Sequence, residues 1–90
     1  MKQYFDPLRP SHRRLIAKAF PWAIDSTTIQ TVPSNSETYD TGNRLLLLRG
    51  YSLPTDDGII SIKLAFDAST NILYIHDMVE IEDGQQVNNI

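Results

Sequence analysis

The sequence predicts an α+β fold, in which one N-terminal amphipathic helix packs on a three- to four-stranded antiparallel meander sheet. Three observations lead there. Residues 59–67 and 73–81 alternate apolar and polar side chains with the two-residue period of half-buried strands. Between them stands Ala68-Ser69-Thr70-Asn71, a turn-forming set of hairpin length. Ahead of them, Leu15, Ile16, Ala19 and Phe20 recur at helical spacing.

The helix is short. Pro7 and Pro10 restrict the residues before them, so residues 1–10 read as extended or frayed, and Ser11 reads as the N-cap. Pro21 stops the helix near Phe20, because proline cannot donate the next hydrogen bond and its ring crowds the preceding turn. Arg13, Arg14 and Lys18 fall on the polar face, with Lys18 placed to suit the helix dipole. A helix of about ten residues is marginal in water and must dock on something. Trp22, beside Ile24, reads as the anchor. Residues 27–32, with β-branched threonines, Ile29 and Val32, read as a possible first strand. Residues 33–43 are almost devoid of apolar side chains and read as a loop, and residues 84–90 as a frayed tail.

The last hairpin has a preferred register. If residues 68–71 form the loop, Asp67 pairs with Ile72, Phe66 with Leu73, Leu64 with Ile75, Ile62 with Asp77 and Ile60 with Val79. Both apolar rows then share a side, and a slip of one residue would expose one of them. The strand over residues 44–53 is ambiguous, since four consecutive leucines point two each way. Pairing Leu53 with Ile59 turns Leu46, Leu48 and Gly50 inward. Pairing it with Gly58 turns Leu45, Leu47, Arg49 and Tyr51 inward. Asp77 is the one charge in an apolar row and needs a partner there, with Arg49, His12 or loop hydroxyls as candidates.

Ninety residues allow one domain, with 41% hydrophobic and 21% charged residues in ordinary globular proportion. The absence of cysteine removes disulfides, thiolate metal sites and a cysteine nucleophile. No apolar run approaches the ~18 residues of a membrane span, and the N-terminus lacks a signal core, so a cytoplasmic location is the default expectation. The net charge of −3 is unevenly spread. Residues 1–20 carry Lys2, Arg9, Arg13, Arg14 and Lys18 against Asp6, whereas residues 40–90 carry Arg44, Arg49 and Lys63 against eight acids.

No catalytic constellation stands out. His12 and His76 could form an acid–base pair for RNA cleavage, but the register sends His76 to the outer sheet face and His12 to the inner. His76, Glu80 and Glu82 share a face yet span about 20 Å of extended chain, too far for one ion. No metal or other cofactor is implied, and there is no phosphate-cradling glycine loop or nucleophile elbow. The order of helix, loop and meander, with Arg44 and Arg49 before the last hairpin, resembles small bacterial ribonuclease toxins over part of the chain. Their second long helix is missing and no catalytic set carries over residue by residue, so the resemblance assigns no site.

The leucine surplus is the feature that points toward function. A sheet covered by a helix on one face should be polar on the other, and here Leu45, Leu47, Arg49, Tyr51, Tyr74 and Met78 form a candidate apolar face. The leading expectation is a small non-enzymatic interaction module that binds a protein partner, or a second copy of itself, through that face. The alternative is nucleic-acid binding or RNA cleavage through Arg13, Arg14 and Lys18. A third, weaker candidate is a ligand pocket between helix and sheet around Trp22, Tyr51 and Asp77.

Overall fold

In the computed structural model, which describes residues 2–23, 27–56 and 58–82, the elements run β1 (Gln3–Phe5), α1 (Pro10–Ala19), β2 (Thr28–Val32), β3 (Thr38–Asp40), β4 (Leu45–Leu47), β5 (Arg49–Pro54), β6 (Ile59–Asp67), β7 (Ile72–His76) and β8 (Val79–Glu82). Strands hold 49% of the described residues and helix 13%. This corrects the expectation of a three- to four-stranded antiparallel meander. Six strands form one mixed, curled sheet, and β3 and β4 form a separate two-stranded hairpin.

The topology follows from one long interrupted strand. β7 and β8 are consecutive halves of a single ribbon, broken at Asp77 and Met78, and both pair antiparallel with β6. β5 lies on the other edge of β6, also antiparallel. The far edge of the broken ribbon is shared. β2 runs parallel to β7 from Thr28↔Ile72 to Val32↔His76, while β1 runs antiparallel to β8 from Gln3↔Ile81 to Phe5↔Val79. Residues 2–5, read from sequence as extended or frayed, are therefore mostly an edge strand. The tail at residues 84–90 lies outside the described residues.

The hairpin register holds where it was simplest. Asp67↔Ile72, Phe66↔Leu73 and Leu64↔Ile75 pair as the alternation dictates. Beyond them Ile60 meets Ile81 rather than Val79, because Met78 takes a left-handed backbone, φ 53°, and the ribbon bulges. The offset is even, so Val79 and Ile81 stay on the apolar side. Asp77 sits in this bulge, half-buried, with its N–H donating to the Val32 carbonyl at 2.8 Å. It is not a charge locked opposite Ile62, and no ion pair among the described residues joins it to Arg49.

The helix begins two residues earlier than the Ser11 hydroxyl suggested. Pro10 occupies the first turn, where its missing N–H costs nothing, and Arg9 holds the N-cap position without a side-chain cap, so Ser11 is not the cap. Ile16 and Phe20 bury against Phe5, Ile60, Ile62, Leu64, Leu73, Ile75 and Val79 on the inner face.

The outer face has its own cover. Val32, Leu48 and Tyr74 are buried there, with Tyr39, Leu46, Ala65 and Ile72 packed around them. The cover comes from residues 33–43, read from sequence as a loop. Within it β3 pairs with β4 through Tyr39↔Leu46, and the Leu48 N–H donates to the Glu37 carbonyl at 3.0 Å. His76 Nε2 lies 2.8 Å from the Ser36 carbonyl oxygen, and Lys63 Nζ donates to Glu37 Oε1 at 2.9 Å, which holds the Glu37 carboxyl below its usual range. The arm is thus tied to the sheet ahead of Tyr39, at Ser36 and Glu37.

Candidate interaction groove

The leucine run is divided by a break in its strand. β5 pairs with β6 from Arg49↔Leu64 to Pro54↔Ile59, so Leu53 stands opposite Ile60, one residue beyond the Ile59 pairing considered from sequence and two beyond the Gly58 pairing, whose inward face it shares. Arg49, Tyr51 and Leu53 therefore share the inner face with Leu64, Ile62 and Ile60. At Leu48 the chain leaves β6 and joins the hairpin, carrying Leu46 and Leu48 into the outer core. Leu45 and Leu47 are left 68% and 62% exposed.

Where β4 splays from β6 a groove of about 320 Å³ opens. Leu46 and Leu47 line one side, Leu64, Ala65 and Phe66 the other, and Trp22, Arg49 and Tyr51 complete it. Four rings support it in a chain. Tyr51 meets Phe20 edge-on at 4.9 Å, Phe20 lies 5.4 Å from Trp22, and Trp22 lies 4.9 Å from Phe66. Phe20 is buried, which fixes its neighbours, while Trp22 remains 46% exposed. An indole held by two rings and open to solvent offers a large apolar contact at little conformational cost. Arg49 is exposed and takes part in no ion pair among the described residues.

Of the six residues proposed for a single sheet face, Leu47, Arg49 and Tyr51 line this groove, and Leu45 stands exposed two residues from Leu47 on the same short strand. Tyr74 does not belong to it. Its ring is 4% exposed beneath Tyr39 on the outer face. Met78 is 65% exposed but lies at the bulge, outside the groove lining. The face expected to be open is closed by the β3–β4 hairpin, and the open surface lies at the edge where that hairpin departs. Trp22, read from sequence as the helix anchor and as a pocket residue with Tyr51, lines the groove beside Tyr51, and Phe66, read as a residue of the apolar row, lines it too. The lone tryptophan just after the helix-stopping Pro21 was the available signal.

The other candidates disperse. Arg13 is half-buried and donates from Nη2 to the Thr27 carbonyl at 3.1 Å, tying the helix to the start of β2, which leaves Arg14 and Lys18 exposed on that face. His12 stacks on Phe5 at 4.9 Å and accepts the Asp6 N–H at Nδ1, on the inner side of the sheet, while His76 bonds the outer arm. Trp22 and Tyr51 share the groove without Asp77. Among the described residues no cluster of three or more His, Asp or Glu is placed to hold a metal, and no helix is long and apolar enough to cross a membrane. No family model matches the sequence, and no curated protein or solved structure matches it.

Proposed function

We propose that this chain is a protein-binding module whose groove takes an apolar segment of a partner protein bearing a carboxylate. The observation that carries the reading is the half-exposed Trp22, backed by Phe20 and Phe66, beside Leu47 and Tyr51, with the guanidinium of Arg49, in no ion pair among the described residues, in the same groove. Apolar side chains of the partner would seat against Trp22 and Leu47, and a partner Asp or Glu would meet Arg49 in the fork geometry arginine favours.

The test is affinity capture from the native host with three baits: the wild-type chain, Leu47→Asp and Arg49→Glu. The reading requires a stoichiometric partner kept by the wild type and lost by both variants, with the purified pair then reconstituted. Light scattering on the bait alone separates self-association from a foreign partner. If the variants retain every partner, or if the chain instead binds RNA in a salt-sensitive way that Arg14→Ala with Lys18→Ala abolishes, the groove reading fails.

A further inference from the structure

A second cleft, of about 370 Å³, lies between the flank of α1 and the connection from β5 to β6, away from the aromatic groove. Its walls are apolar: Phe5, Leu15, Leu53, Pro54 and Ile60, with Ala19 at the helix end. That volume is within the range of small-ligand sites. Two charges stand in its lining, Lys18 from the helix and Asp56 from the connection. No ion pair among the described residues uses either of them, and they do not pair with each other. The third polar side chain in the lining, Thr55, is engaged locally, donating from Oγ1 to the Gly58 carbonyl at 2.7 Å and accepting the Gly58 N–H.

We propose that this cleft binds a small zwitterion with an apolar body, of the class of free apolar amino acids. The charge pattern selects this class. A simple carboxylate would gain Lys18 but face Asp56, and a simple amine would gain Asp56 but face Lys18. A molecule carrying both charges on one carbon satisfies both residues and leaves its side chain for Phe5, Leu15 and Ile60. Lys18 also sits in the last turn of α1, where the helix dipole favours positive charge.

Titration calorimetry with three compounds tests this: L-phenylalanine, 3-phenylpropionate, which lacks the amine, and 2-phenylethylamine, which lacks the carboxylate. Phenylalanine should bind about tenfold tighter than either analogue, the size expected of one charged contact. Lys18→Met should abolish the preference over the amine, and Asp56→Asn the preference over the acid. Ala19→Phe, which adds a ring from an exposed position and spares the core, should block all binding. Leu47→Asp, which impairs only the other groove, should leave it intact. The proposal is overturned if no compound binds at millimolar concentration, if 3-phenylpropionate binds as tightly as phenylalanine, or if Ala19→Phe binds normally.

Discussion

The rings of Tyr39 and Tyr74 stack with centroids 4.7 Å apart and planes inclined by 30°, and this contact seats the β3–β4 hairpin on the outer face of the sheet. Tyr39 is further held by Gln30, whose Nε2 donates to its hydroxyl at 2.7 Å. One ring from a polar segment thereby turns a bare sheet face into a second core.

Tyr39→Ala should release the arm without unfolding the sheet. Loss of a half-buried ring and its stacking partner costs about 2 kcal/mol. Hydrogen exchange is the sharper readout. The Leu48 amide, bonded to Glu37, should exchange much faster in the variant, while the amides of Leu73 and Ile75 should slow or quicken only with global stability. Equal acceleration at all three sites would mean that the arm and sheet unfold as one unit.

The four leucines should separate into two pairs. Leu48→Ala removes a side chain that is 4% exposed and should cost about 3 kcal/mol in urea denaturation. Leu45→Ala and Leu47→Ala should each fall within about 0.5 kcal/mol of the wild type. A large loss at Leu47 would show that it serves the fold rather than the surface.

Alkaline stability should turn on Tyr74. Burial, then Tyr39 and Asp67 nearby, hold its phenol above the ordinary value of 10.0. The folded state binds that proton more tightly than the unfolded chain. Its contribution is therefore full below about pH 10 and is lost as pH rises through the folded value. Denaturation midpoints measured across this window should fall more steeply for the wild type than for Tyr74→Phe.

Asp67 sets the opposite limb. Its carboxyl, 2% exposed, accepts from the Ser69 hydroxyl at 2.7 Å and from the Ser69 N–H at 3.1 Å, with Arg44 at 4.0 Å. The Ser69 hydroxyl is the main reason it titrates below the ordinary value of 3.8, against the upward push of burial. Stability from this group is present above pH 3.8 and is lost as pH falls through the lower folded value. Carboxyl carbon NMR should show Ser69→Ala shifting the Asp67 titration upward. An unchanged titration would assign the depression to the groups that remain, the Ser69 N–H, Thr70 and Arg44.

Gly58 is required by its backbone. It has φ +151°, and the carbonyl oxygen of Glu82 occupies the space a Cβ would take. Gly58→Ala should cost about 2 kcal/mol or more in thermal or urea unfolding and should loosen the adjoining Ile59↔Glu82 pair first.

The parts of the fold that were legible in sequence are those written in a local period. β6 and β7 alternate cleanly and are joined by turn residues, one of which, Asn71, takes the left-handed backbone its type tolerates, φ 59°. The bulge was hidden because Met78 is not a residue type that announces positive φ. The parallel pairing of β2 with β7 was hidden because the pattern of residues 27–32 says strand but names no neighbour. β3 was masked by polar composition, although Asp40-Thr41-Gly42-Asn43 between Tyr39 and the leucines is a turn signal, and Gly42 adopts φ 94° there. At the groove, the surplus of leucine was visible, but its division depends on Leu48 leaving β6 for the arm, a long-range choice that no window of sequence contains.

The pairing of β1 with β8 joins Gln3 to Ile81, nearly the full span of the described chain. Phe5, a core residue, gains its sheet partner Val79 only once β8, the last described strand, is in place. Until then α1 packs on an inner face that lacks Val79 and Ile81. The contact is long-range, and looping so much chain before it can form makes folding slow for a domain of this size.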